Sequence, residues 1–161
     1  MDGFLELQSA NDLMAKLRHD FTLLERQPMD TYLAFNFFVT AEHMADWQLP
    51  GQSNRTSRAD LRKSNTLLQL CSHLANGMKH FRAEAKHHTS VRGALKNRGV
   101  YGNSYPNTYQ NAHPREILIQ LDGDAREAYG DSINVVDLAR ETLEFWEAVL
   151  DGEADAQTPK E

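Results

Sequence analysis

The stretch Leu67-Leu68-Gln69-Leu70-Cys71-Ser72-His73-Leu74-Ala75-Asn76-Gly77-Met78-Lys79-His80-Phe81 sets Leu67, Cys71, Leu74, Met78 and Phe81 at steps of three or four residues. That spacing gathers side chains on one face of an α-helix. At ~100° per residue, His73, Gly77 and His80 fall close to one line, with Asn76 beside them and the apolar stripe roughly 100° away. The stretch therefore predicts a core helix with a polar line along the edge of its buried face. Cys71 is the only cysteine. It excludes an internal disulfide and, among Leu67, Leu70 and Leu74, reads as a small buried hydrophobe.

Upstream, Ser9 with Asp12 resembles an N-terminal capping arrangement, and Leu13, Leu17, Phe21 and Leu24 follow at helical spacing. This first helix is expected to end near Gln27, because Pro28 disfavours helical geometry in the residue before it. Asp30 is placed to cap a second helix. There Leu33, Phe37, Ala41 and Met44 make an apolar line ending at Trp47, while Asn36, Thr40 and His43 make a polar one. Leu49-Pro50-Gly51 breaks the pattern, Gln52 to Thr56 reads as an exposed loop, and a short helix is expected around Arg58–Lys63.

Downstream, the helical period is lost from Ala83 to His113, with Gly93, Gly99, Gly102 and Pro106 marking a long irregular segment. Lys86 to Val91 is a weak strand candidate and Glu116 to Leu121 a better one. Asp122-Gly123 is a dipeptide that tight hairpin turns prefer, so a small antiparallel ribbon is expected. Asn134 is placed to cap the last helix, with Leu138, Thr142, Phe145, Trp146 and Val149 inward and Asp137, Glu141, Glu144 and Glu147 outward. Asp151-Gly152 is expected to end it. The predicted architecture is mainly α, a four- or five-helix bundle with a small antiparallel β-ribbon before the last helix. One domain spans residues 1–152, and an acidic, Pro-containing tail at 153–161 is expected to be disordered.

Composition agrees with a single core. The chain has 161 residues, 40% apolar and 25% charged, enough to bury roughly two thirds of its unfolded surface. No basic leader and no bilayer-length apolar run is present, which points away from secretion and membrane insertion and toward the cytoplasm. Net charge is −6, yet residues 51–115 hold eleven Lys or Arg against Asp60 and Glu84, a surplus of +9, while residues 1–50 carry −5 and residues 116–161 carry −10. Such segregation produces a phosphate-attracting face unless the acidic flanks, above all the last helix, fold against the middle and neutralise it. Lys79, Arg82, Lys86, Arg92, Lys96 and Arg98, followed by Tyr101, Tyr105 and Tyr109, join phosphate-attracting charge to aromatic faces able to stack on bases. Tyr, Asn and Gly also populate ordinary ordered loops.

Two segments, Phe35-Asn36-Phe37-Phe38-Val39-Thr40-Ala41-Glu42-His43-Met44-Ala45-Asp46-Trp47 and Cys71 to Phe81, together resemble a set of small bacterial helical proteins carrying an F-N-x-x-V-T-A-x-H-x-x-D-W helix and an A-N-x-x-K-H-F helix. Those are similar in turn to the HEPN superfamily, helical bundles of toxin–antitoxin, phage-defence and RNA-processing systems. The resemblance covers residues 9–82 and 130–150. It implies a homodimer and, in catalytic members, a metal-independent ribonuclease marked by an Arg and a following polar residue, with four to six residues between the Arg and a His. The Arg holds the scissile phosphate while the His exchanges protons. Here Asn76 and His80 match the polar residue and the His, but the Arg positions hold Ala75, Leu74 or His73. His73 or Lys79 is left as a substitute cation, and an imidazole lacks the bidentate grip and fixed charge of a guanidinium. The resemblance thus implies an interaction module contacting RNA or a protein partner, with degenerate or absent ribonuclease activity.

Three alternatives stand beside it. The polar groups can be purely structural, His80 capping carbonyls and Asn76 bonding to the Asn36, Thr40 and His43 line. A ribonuclease using His80 with His73 or Lys79 is a second. A small-molecule or metal-binding bundle is a third, drawn from Glu84-x-x-His87 and from His43, His73 and His80, although outward-facing acids on the first and last helices disfavour a carboxylate-bridged centre. No cofactor is called for. Ser9, Ser72 and Cys71 lack a His–acid partner at recognisable spacing, and no Gly-rich phosphate loop occurs, so hydrolase and nucleoside-triphosphatase chemistry is excluded.

Overall fold

Ser9 opens α1 (Ala10–Arg26) by accepting the Asp12 N–H at 3.3 Å, and the Asp12 carboxylate takes the Gln8 N–H at 3.1 Å. Aspartate thus works here one residue further back than the Glu or Gln of a capping box would. A computed structural model describes residues 5–80, 89–97 and 115–157. Asp30 caps α2 (Thr31–Gln48) through the N–H groups of Tyr32 and Leu33. A 3-10 turn at Gln52–Asn54 leads directly into α3 (Arg55–Lys63), and Asn65 caps α4 (Thr66–Lys79). Then come β1 (Val91–Asn97), β2 (Glu116–Leu121), α5 (Gly123–Tyr129), β3 (Ser132–Asn134) and α6 (Val135–Gln157).

The chain is mainly helical with one small antiparallel sheet of order β1-β2-β3. α2 lies against α1, α4 and α6, and it buries Ala34, Phe37, Phe38, Thr40, Ala41, Met44 and Ala45. A helix packed on several sides must be apolar over most of its circumference, which is why its apolar line is broader than four positions. Met14, Leu17 and Leu24 of α1, Leu70 and Cys71 of α4, and Leu138 and Trp146 of α6 join the same core. β2 alternates, sending Ile117, Ile119 and Leu121 inward, and so closes the end of the core.

Four expectations are corrected. The strand candidate at Lys86–Val91 is displaced: β1 starts at Val91, which pairs with Leu121, and residues 86–88 lie outside the described set. Gly93, read as a loop marker, sits where the register shifts, and a Cβ there would come within 3.2 Å of Gln120 Oε1. Asp122-Gly123 does not turn a hairpin. Asp122 accepts the Gly123 N–H at 2.9 Å and caps α5, with Gly123 at φ +52°. The same dipeptide suits both roles, and the packing of Ala125 into the core decides for the helix, which Arg126, Glu127 and Ala128 also favour; α5 brings the α-helices to six among the described residues. Finally, α6 runs past Gly152 to Gln157, into the segment expected to be a disordered tail. An interior glycine costs a helix only about 1 kcal/mol, and the residues after it favour helix. Among the described residues no helix is long and apolar enough to cross a membrane.

Candidate functional site

His80 is the C-cap of α4: its N–H reaches Asn76 O at 2.9 Å and the residue is exposed. One turn earlier, Asn76 Nδ2 donates to Ser72 O at 2.8 Å, within its own helix. Of the positions where a phosphate-gripping Arg would stand, Leu74 and Ala75 are buried. His73 is half-buried and its Nδ1 accepts the Val91 N–H at 3.0 Å, tying the first residue of β1 to α4. A ring nitrogen that accepts an amide proton carries a lone pair rather than a proton.

The polar line of α2 divides. Thr40 faces α1, where its Oγ1 lies 2.8 Å from Asp20 Oδ2 and 2.7 Å from Lys16 Nζ. Asp20 is buried, contrary to the expectation that the acids of the first helix face out. Asn36 is exposed. Only His43 reaches α4, and it meets Lys79, not Asn76 or His80: Lys79 Nζ is 3.0 Å from His43 Nε2, while His43 Nδ1 is 3.4 Å from Asp46 Oδ2. Residues four and seven apart spread over about 60° of the helix surface. On a helix packed between neighbours, that spread sends one side chain to α1 and another to α4.

Around this contact lies a network that periodicity does not single out. Asp46 Oδ1 takes Arg58 Nε at 3.0 Å, and Asp46 Oδ2 is 3.5 Å from Arg62 Nη2. Arg58 also donates to the carbonyls of Leu49 and Gly51, and Arg62 to that of Glu42, pinning α3 onto α2 although α3 itself buries no residue. Arg62 Nε lies 3.0 Å from Glu42 Oε1, yet its N–H has no hydrogen-bond partner among the described residues. Their attraction is therefore one of charge rather than of a directed bond. The sequence signal that finds this network is an acid pair at i, i+4, Glu42 and Asp46, matched by an Arg pair at i, i+4, Arg58 and Arg62.

Burial raises the Glu42 pKa, with Arg62 and the Ser72 hydroxyl, 3.3 Å away, only partly offsetting it. The folded state then binds this proton more tightly than the unfolded chain does. Stability is predicted to fall as pH rises from Glu42's ordinary range, near 4.5, through its raised folded value. Glu42→Gln is expected to remove that part of the slope, read as urea midpoints across the acid range. An unchanged slope would mean the carboxylate stays hydrated.

The charge map survives folding in part. Arg58 and Arg62 are paired with acids of α2, whereas Arg55, Lys63, Arg92, Lys96 and Arg115 form no ion pair among the described residues and are exposed. On α6, Glu147 turns to Arg18 of α1, and Arg140 takes Asp137 and Glu25. No ion pair joins α6 to residues 51–115 among the described residues. Arg82, Lys86, Arg98, Tyr101, Tyr105 and Tyr109 lie outside those residues, as do Glu84 and His87. No group of three or more His, Cys, Asp or Glu placed to hold a metal occurs among the described residues, His43, His73 and His80 included. Cys71 is buried against Thr142 and its thiol is pushed up to about 12, which leaves it no nucleophilic role near neutral pH. No family model, curated protein or solved structure matches the chain.

Proposed function

We propose that this chain is a HEPN-like interaction module of a bacterial or phage defence or regulatory system, one that contacts single-stranded RNA and does not cleave it. The observation that carries the reading is the set of exposed cations in the middle of the chain, Arg55, Lys63, Arg92, Lys96 and Arg115, none of which forms an ion pair among the described residues, with Glu147 and Asp137 of α6 paired to Arg18 and Arg140. A cationic face on an otherwise acidic protein attracts phosphates locally. The absence of cleavage rests on α4. The residues that replace the Arg are buried or, in His73, occupied by the Val91 amide, and Lys79 is drawn toward His43. None of the sequence positions from which an Arg would act with His80, Ala75, Leu74 and His73, supplies a guanidinium to hold a scissile phosphate in the transition state.

Single-stranded RNA is expected to bind with an affinity that falls steeply as salt rises, because each neutralised phosphate releases counterions. Incubation with chelator is expected to leave the RNA intact. Metal-independent cleavage abolished by His80→Ala would overturn the module in favour of a ribonuclease using His80 with His73 or Lys79. The same reading includes a homodimer, the commonest closed assembly. Light scattering at micromolar concentration checks it, and a monomer mass removes it.

A further inference from the structure

We infer that His43 and Lys79 form a phosphate contact whose charge is released when His43 takes up a proton; this rests on the RNA-contacting reading and adds its regulation. The geometry carries the inference. The Lys79 ammonium is 3.0 Å from His43 Nε2, and that approach is attractive only while Nε2 offers a lone pair. The other ring nitrogen faces Asp46 at 3.4 Å, which selects the tautomer with its proton on Nδ1 and leaves Nε2 free to accept. Neutral His43 is thus a latch that holds Lys79 against α2.

Protonation reverses the interaction. Once Nε2 carries a proton, two cations stand 3.0 Å apart. Lys79, at the last turn of α4, swings away, while Asp46 holds the imidazolium in place. The ring and the ammonium are both exposed, so together they become available to one phosphate.

The charged groups around His43 are few. Asp46 faces it from α2 and Lys79 from α4, and Arg58 and Arg62 of α3 act on it through Asp46. Glu42, paired with Arg62, also acts electrostatically on Lys79 and Asp46. The charged groups of α1 that meet α2, Lys16 and Asp20, do so at Thr40, and α6 pairs its charges with α1 through Arg18 and Glu25.

Two measurements test the latch, each against His43→Gln, whose amide oxygen still accepts from Lys79 but does not titrate. In the first, the Lys79 Hε and Cε resonances are followed by NMR as pH is lowered. They are expected to shift with the midpoint of the His43 ring and to stay still in His43→Gln; Lys79 resonances indifferent to His43 would overturn the latch. In the second, a labelled oligouridylate is bound at about pH 7.5 and about pH 5.5, either side of the imidazole range. The wild type is expected to gain about fivefold more affinity on acidification than His43→Gln, the order of one added contact between unit charges in water. Its salt slope should steepen by ~0.7, the value of one more phosphate on a single strand. Any pH effect common to the two proteins cancels in the comparison. Equal gains, with binding still salt-dependent, would overturn the latch and leave the RNA reading standing. Salt-insensitive or absent binding at both pH values would overturn that reading and, with it, the phosphate contact.

Discussion

Replacing Arg92, Lys96 and Arg98 together with Gln is expected to weaken single-stranded RNA binding more than about tenfold at ~0.1 M salt and to lower the salt slope by about two, since each lost phosphate contact is worth ~0.7 of slope. Arg92 and Lys96 are exposed on β1, an edge strand of the sheet, and neither enters an ion pair among the described residues. Arg92 sits where the register shifts between Val91 and Gly93. Lys96 pairs with Ile117, yet Ile117 is buried and Lys96 is not, so the edge overhangs the core at that point. Arg98 continues the charge just past the described strand. Exposed cations contribute little to folding, so melting temperature is expected to hold. They also blunt the strand edge against self-association, and light scattering on the variant separates lost RNA affinity from aggregation. A slope unchanged in the variant would place the RNA contact elsewhere.

Asp20→Ala is expected to cost about 2–3 kcal/mol of stability, the range for removing a charged partner from a nearly buried hydrogen-bonded group. Asp20 is only 6% exposed and accepts from Lys16 of its own helix and from Thr40 across the α1–α2 interface. The loss is bounded because Thr40 can turn its hydroxyl fully to Asn36 O, 2.8 Å away, and because Lys16 is partly in water. Asn76→Leu makes the contrast. Its amide bonds only to a carbonyl of its own helix, so the change is expected to stay within about 0.5 kcal/mol. Urea unfolding of the two variants decides the matter, and a larger loss at Asn76 than at Asp20 would reverse the assignment of the interhelical clasp.

The helices were largely legible in the residues. Ser9, Asp30 and Asn134 cap the elements they were expected to cap, with Asn134 Oδ1 taking the Val136 N–H at 2.8 Å. The outward acids and inward apolar line of α6 also stand as the spacing implied, with Leu138, Thr142 and Trp146 buried and Asp137, Glu141 and Glu144 exposed. Caps and amphipathic stripes are written in residues three or four apart, and neighbours that close feel one another before any tertiary contact forms. The site was legible only in its ingredients. His43, Lys79 and His80 were singled out, but the meeting of His43 with Lys79 was not foreseen, nor was the pairing of Glu42 and Asp46 with Arg58 and Arg62.

What the sequence determined by itself was thus the existence and type of α1, α2, α4 and α6, the caps that start α1, α2 and α6, and the uneven distribution of charge. What only the tertiary structure decided was which way ambiguous signals resolve and which polar groups meet. Asp122-Gly123 became a helix cap because the chain after it packs Ala125 into the core, and Thr40 and His43 parted because α2 is wedged between α1 and α4. Such outcomes depend on how each helix is rotated about its axis by its neighbours, and that rotation is fixed by the packing of side chains far apart in the chain.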